Sequence, residues 1–301
     1  MNILVIYFSQ SGQIRDILNA VTRPMIQEGF QVDFVSIEPE PEYPFPWKAN
    51  EFFSVFPDSK AGNNCQLKPL TVKNPEKYDL IIIGLQVWYL EPSIPTASFL
   101  RSEYSKFLKN KPIITIYGIR NMWVNAHQTI KELIENNEGK LVGNIILADR
   151  HNNLVSVLTI VRWLINGKKE ASRFLPAAGV SDFEILSTDR FGYSIINALK
   201  NQELNNLQNN LIAQKAIHVD YHIMKTEFAG SRIFGIWAKM INNNSKPGSL
   251  KRKRLLIFFK YYLYFVIFIV SPISSLIFRM IRLIFRTKTE LEILKHTSLV
   301  L

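Results

Sequence analysis

Five short apolar runs mark out the chain, at residues 2–8, 31–37, 80–84, 113–118 and 141–148. In the first, Ile3-Leu4-Val5-Ile6-Tyr7-Phe8 is apolar throughout. A strand without alternation is one covered on both faces, as in a parallel sheet layered by helices. The period then changes: Ile14, Ile17, Leu18, Val21, Met25 and Ile26 recur at helical spacing, and Gly29 closes that helix as a C-cap glycine. Strand, tight turn, helix, strand is the opening of a doubly wound α/β fold. Further helices are predicted over residues 94–108, 124–136 and 154–164, giving a five-stranded parallel sheet of order 2-1-3-4-5.

Residues 38–78 form a long insert after strand two, where a helix would suffice. It opens with Pro39, Pro41, Pro44 and Pro46, an extended and semi-rigid path. Trp47, Phe52, Phe53, Val55 and Phe56 follow, either as a satellite core beneath a loop or as a lid over an apolar substrate. The pattern divides the chain into an α/β domain at 1–165, an extension packed on it at 166–246, and a basic linker with a hydrophobic segment at 247–301. In the extension, residues 174–187 read as loop and short strand and residues 195–216 as a polar-faced helix; residues 242–249 are a turn-rich linker.

Residues 261–278 carry no formal charge, which is the short end of a bilayer span. A buried helix is the alternative. Basic residues lie on both sides, so the positive-inside tendency puts both flanks on one side of a membrane, and Ser271-Pro272 predicts a helix, break, helix path. Single span, re-entrant loop and interfacial helix remain open.

At 301 residues and 47% hydrophobic content the chain can bury a real core, which excludes a wholly disordered protein. Of the net +11, nine positive charges fall between Lys251 and Lys288, interleaved with Phe, Tyr, Leu and Ile. That pattern suits inner-leaflet anionic lipid and not nucleic acid. Cys65 is the single cysteine, so no intramolecular disulfide forms, no metal site is predicted, and a reducing compartment fits. Residues 1–8 lack the pattern of a secretory signal, so the globular part is expected in the cytoplasm.

The chemistry concentrates where the strands end. Ser9-Gln10-Ser11-Gly12-Gln13-Ile14 runs from the first strand into the first helix. A mononucleotide phosphate is held well by hydroxyls and free N–H groups at such a helix start; an ordinary serine-capped turn is the alternative. After strand three, Gln86-Val87-Trp88-Tyr89 offers an indole to stack on a planar ring; after strand four, Gly118, Arg120 and Asn121 offer a close approach, a cation and an amide to a polar ring edge. Core packing competes for Trp88 and Trp123. These loops resemble those of the flavodoxin and NAD(P)H-quinone reductase superfamily over residues 1–165, which implies a flavodoxin-like fold with FMN as cofactor and NAD(P)H as a possible one. Ile14 stands where that superfamily usually has a third hydroxyl.

A narrower resemblance is carried by residues 4–13, Pro44-Phe45-Pro46-Trp47, Arg120-Asn121-Met122-Trp123 and Asp149-Arg150-His151-Asn152-Asn153. Together they are similar to the family named dialkylresorcinol condensing enzyme, of bacterial aryl polyene and flexirubin-type pigment pathways. The resemblance implies a role in making dialkylresorcinols, with a ketosynthase or carrier protein as possible partner; with the basic apolar tail and the lack of a secretory pattern, the expected location is the cytoplasmic face of the bacterial inner membrane. Cys65 lacks the surroundings of a thioester nucleophile, so the fitting step is oxidation of a dialkyl cyclohexanedione to the resorcinol. His151 is the candidate base, and Arg120 or Arg150 the stabiliser of an enolate oxygen; a helix-capping histidine and a surface ion pair are the plainer roles for His151 and Arg150. The competing functions are a membrane-associated NAD(P)H-quinone oxidoreductase and a non-catalytic flavin-binding subunit of a membrane complex.

Overall fold

A computed structural model describes residues 1–297. Strands β1 (Asn2–Tyr7), β2 (Gln31–Ser36), β3 (Leu80–Leu85), β4 (Pro112–Ile119) and β5 (Lys140–Ala148) form one parallel sheet of order 2-1-3-4-5. The fold is flavodoxin-like. Alternate residues of β1 feed two cores: Ile3, Val5 and Tyr7 face one side, and Leu4 and Ile6, with Phe8 just past the strand, the other. Both sets are buried, as unalternating apolar runs require.

Helix α1 (Gln13–Gln27) covers the first face. Helices α2 (Ile94–Leu100) and α3 (Val124–Asn136) cover the second. Helix α4 (Asn153–Asn166) follows β5, yet the helix that packs beside α1 is α5 (Asp189–Lys200). Their approach is close enough that a Cβ on Gly192 would sit 2.3 Å from the Val21 carbonyl oxygen. The α1-face core also includes Val180, Leu207, Leu211 and Ala216, so the sheet's own core draws on residues beyond 165.

Several predicted elements are redrawn. The helix over 94–108 ends at Leu100 and gives way to a tighter turn, Glu103–Leu108. The helix over 195–216 is interrupted after Lys200, where Gln202 takes φ +59°, and resumes at Leu207–Ala213. Within 174–187 there is a short helix, Asp182–Leu186, instead of a strand; the Ser181 hydroxyl accepts the Glu184 N–H at its start (3.2 Å). The insert does not run extended through its prolines: Pro39–Glu40 pairs with Gln66–Leu67, the chain bends at residues 41 and 45–46 with cis peptide bonds before Pro41 and Pro46, and two short helices follow, Ala49–Ser54 and Phe56–Ala61.

Helix α6 (Tyr221–Asn244) is followed by α7 (Leu250–Phe265), a π-helical turn at Val266–Val270, α8 (Ser271–Ile284) and α9 (Arg286–Thr297). Residues Leu250–Ile284 make one continuous helix, long and apolar enough to cross a membrane by length and composition, and its apolar window is only 6% buried. The break predicted at Pro272 is absent. The preceding turn widens to π-helix, which relieves the clash between a proline ring and the carbonyl four residues back. A third core joins this helix to the insert: Phe56 stacks on Phe259 with centroids 3.7 Å apart, and Phe53, Phe234 and Ile241 surround them.

Two of the helical glycines, Gly192 and Gly235, should respond oppositely to alanine. At Gly192 the methyl group meets backbone, and a loss of about 1–3 kcal/mol is expected. At Gly235 a Cβ meets nothing within 4 Å, and a gain of about 0.5–1 kcal/mol is expected. Thermal unfolding of the two variants checks both signs.

Candidate functional site

Residues 8–12 turn the chain at the carboxyl edge of the sheet, between the central β1 and α1. Gly12 precedes the helix at φ +88°, and a Cβ built there would meet nothing within 4 Å. No side chain caps α1, so its first N–H groups are left for water or a ligand. Ser9 Oγ, in the same turn, is buried and has no hydrogen-bond partner among the described residues. Such a group costs about 1–3 kcal/mol relative to a paired one, and an anion at the helix start is a partner its position offers.

The neighbouring side chains have other duties. Gln10 Nε2 donates to the Pro44 carbonyl (2.9 Å), tying the turn to the insert. The Gln13 carboxamide donates to the Val180 carbonyl (3.1 Å) and accepts the Val180 N–H (3.2 Å). Ile14 is buried in the α1-face core. The Gln13 oxygen and one of its two amide hydrogens are therefore committed to Val180, and Ile14 offers no polar side-chain atom; Gln10, Ser11, Gln13 and Ile14 all line the adjoining cavity.

That cavity measures about 230 Å³. Gln86, Val87, Trp88 and Tyr89 form one part of its wall and Gly118 and Arg120 another. The Trp88 indole is held edge-on by Phe8, Tyr43 and Trp47 at 5.8, 5.0 and 5.8 Å. Its backbone is fixed by a tight hairpin, Val87–Trp88 against Glu91–Pro92, whose turn residues Tyr89 and Leu90 both take positive φ (49° and 68°). Turns of that kind ordinarily use Asn-Gly. Here the insert holds the strained pair: Tyr89 hydroxyl donates to the Phe52 carbonyl (2.8 Å), and Ser59 hydroxyl to the Trp88 carbonyl (3.0 Å). Trp47, Phe52 and Val55 of the insert and Ile160, Trp163 and Leu164 of α4 complete the wall. The insert is thus both satellite core and roof. Pattern reading missed the α4 contribution, because an apolar helix face does not say what it covers.

Arg120 donates to Asn153 Oδ1 (2.6 Å) and to the Asn153 carbonyl (3.3 Å). Burial lowers its pKa to about 10, partly offset by the charges of Asp149 and Glu227. It remains a cation at neutral pH, with no ion-pair partner among the described residues. Asn121 donates to the same Asn153 Oδ1 (2.7 Å), but it lines a second cavity of about 620 Å³ next door. Its own Oδ1 is buried and unpartnered.

His151 also faces this second cavity and does not line the first. Its Nδ1 lies 2.7 Å from Asp149 Oδ1, which also accepts the His151 N–H (2.9 Å), while the Ser156 hydroxyl donates to Oδ2 (2.8 Å). A fully buried carboxylate thereby orients an imidazole whose side chain is 37% exposed. Arg150 pairs instead with Glu184 (3.0 Å), its plainer role. Trp123 is a core residue, and His127 lies half-buried against it: His127 bonds the Tyr117 hydroxyl (3.0 Å), and desolvation lowers its pKa to about 4, so it is neutral.

Two groups on α6 and just before it were not legible in the pattern. Asp220 pairs with His222 at the rim of the second cavity. Glu227 accepts the N–H groups of Trp123 (3.1 Å) and Asn125 (2.8 Å), capping α3 from a distant helix. Burial raises its pKa to about 7, although the backbone N–H groups pull it down. Nothing local marks a cap supplied from so far along the chain.

No protein-family model matches the sequence, and no curated protein does. Among solved structures, it is similar to a flavoprotein in complex with FMN from Lactobacillus acidophilus (15% identity, TM-score 0.39, covering 48% of this chain and 92% of that one). It is also similar to a WrbA-like flavodoxin from Agrobacterium tumefaciens (12%, 0.38, covering 66% and 98%). A third is RosB with the bound intermediate 8-demethyl-8-formylriboflavin-5'-phosphate (12%, 0.37, covering 73% and 91%).

Glu227 gives a pH signature. Its folded pKa stands above the ordinary value, so the native state keeps a proton that the unfolded chain releases. The resulting stability is complete below about pH 4.5 and lost as pH rises through about 7. Glu227→Gln should remove this slope, which is on the order of 3 kcal/mol across the window. Denaturant midpoints measured at pH 5 and pH 8 in both proteins check it.

Proposed function

We propose that the chain is an FMN-dependent oxidoreductase for a hydrophobic ring substrate. The observation that carries this reading is the buried, unpartnered Ser9 hydroxyl in the turn before an uncapped helix, beside a cavity walled by aromatic rings. Ser9, Ser11 and the N–H groups of residues 10–14 would hold the phosphate, with Gly12 letting the backbone approach it. Trp88 would lie against the ring system, and Arg120 near its polar edge. A volume of about 230 Å³ is below the ~300 Å³ at which ligand pockets usually begin; it suits one planar ring system. When bound, FMN supplies a two-electron acceptor or donor at that ring.

The resemblance to dialkylresorcinol condensing enzymes supports a finer reading, aromatisation of a dialkyl cyclohexanedione. The substrate would lose a hydride equivalent to the cofactor and a proton to the protein. His151 would take that proton at Nε2, held in the right tautomer by Asp149, while Arg120 would face the enolate oxygen. The ring must then reach past Asn121 and Asn153, since His151 opens on the second cavity. A ketosynthase or carrier protein would supply the chains.

One observation favours a second reading. Among the described residues, no histidine, carboxylate, lysine or cysteine lines the 230 Å³ cavity. Quinone reduction needs only an aromatic slot and a cation opposite the reduced oxygen, with protons from water. NAD(P)H would then be the electron donor.

Purified protein is expected to be yellow, and Ser11→Asp, which sets a carboxylate against the phosphate, should weaken FMN retention at least about 100-fold. A colourless wild type that cannot be reconstituted overturns the flavin site. His151→Gln separates the two chemistries: aromatisation should fall by about 10²–10⁴ with FMN retained, whereas NADPH-driven quinone reduction should be unchanged. Bound FMN without turnover in either assay would mark a non-catalytic subunit.

A further inference from the structure

The long apolar helix, residues 250–284, has one face on the protein and one face bare. Arg252, Phe259 and Ser271 are buried on the inner side. On the outer side Ile257, Tyr261, Phe265, Ile273, Ile277 and Met280 are exposed at helical spacing, an amphipathicity turned inside out. Between Leu255 and Phe278 the single charged residue is Lys260, whose ammonium lies over the Phe53 and Tyr264 rings at 5.7 and 5.8 Å.

Both ends of this helix return to the same globular body. At the start, Arg252 pairs with Asp58 (3.4 Å) and donates to Asn242 Oδ1 (2.8 Å). Near the end, Arg279 meets His222 Nε2 (3.5 Å). Beyond it, Glu292 of α9 pairs with Lys225 of α6 (2.6 Å), and Gln208 Nε2 donates to the Thr297 carbonyl (3.3 Å). A helix crossing the bilayer would place α9 on the side opposite α6 and break these contacts. It would also carry the polar partners on α6 into hydrocarbon. At 35 residues the helix is about 50 Å long, well beyond a hydrocarbon core of ~30 Å.

We propose that residues 250–284 are a monotopic docking face that lies in the plane of an anionic bilayer and does not span it. The outer stripe sinks to the boundary of headgroups and acyl chains. Exposed Lys251, Lys253 and Arg254 at one end, and Arg282, Arg286 and Lys288 at the other, reach headgroup phosphates on the same side. This placement satisfies two basic flanks at once. A second copy of the chain could bury the stripe but would bring both basic clusters against their equivalents, so the charge favours lipid.

The test uses full-length protein carrying Cys65→Ser, with or without bound flavin, so its outcome is independent of the redox reading. Protein is added to preformed vesicles of phosphatidylcholine alone or with one-third phosphatidylglycerol. Binding is expected to be at least ~10-fold tighter on the anionic vesicles. Phe265→Glu with Ile277→Glu should weaken it at least ~10-fold without changing the melting temperature. With Lys251→Cys or Lys288→Cys, a membrane-impermeant maleimide added outside should label both positions equally. Protection of one position until detergent is added would show a span and overturn the proposal. So would equal binding to both lipids, or a vesicle-free dimer that the double variant converts to monomer.

Discussion

The carboxamide of Gln13 bonds both backbone groups of Val180, 167 residues away in sequence. Buried, this pair must be satisfied together, since breaking it strands an amide and two peptide groups away from water. It fixes where α1 begins, and with it the turn that holds Ser9 and Gly12. It also anchors the segment leading to α5, which closes the same face of the sheet. The carboxyl edge of β1 and the C-terminal half of the chain are therefore one mechanical unit.

On the other side of that turn, the insert does for Trp88 what Gln13 does for α1. The Tyr89-Leu90 turn holds two non-glycine residues at positive φ, a conformation costing about 1–3 kcal/mol each. Hydrogen bonds from Tyr89 and Ser59, and the rings of Phe52 and Phe56, hold it there. A strained turn so clamped gives the indole one position. Lys60 of the insert adds a buried pair with Glu91, and donates to Ser231 of α6 (2.6 Å). The roof, the hairpin and α6 are thus joined at a single ammonium group.

The strands themselves and the turn at residues 9–12 could be read from sequence because both depend on neighbours in the chain, and the order of the strands followed from the doubly wound pattern they open. Unbroken apolar runs announce buried parallel strands, and a Ser-Gly pair after the first run announces the turn into a helix. What could not be read depends on partners far away. The amphipathic pattern of residues 153–166 is that of any surface helix, and only the packing shows that it roofs the cavity while α5 takes the place beside α1. The Asp149-Arg150-His151 run was legible as polar chemistry at a strand end, but not the turn of the backbone that aims His151 into the second cavity and Arg150 toward Glu184. Pro272 signals a break by local rules, and the π-helical turn before it removes the need for one.

Helix α8 presents Ile273 and Ile277 outward while Ser275 and Arg279, on its other side, line the larger cavity. A helix is too stiff for its two faces to take up separate positions. Any displacement imposed on the outer face is therefore imposed on the inner wall as well, and linkage makes the effect reciprocal: whatever free energy an outer contact adds to or takes from binding in the cavity, a molecule in the cavity adds to or takes from the outer contact. The reciprocity needs no moving domain, only a rod shared between two surroundings.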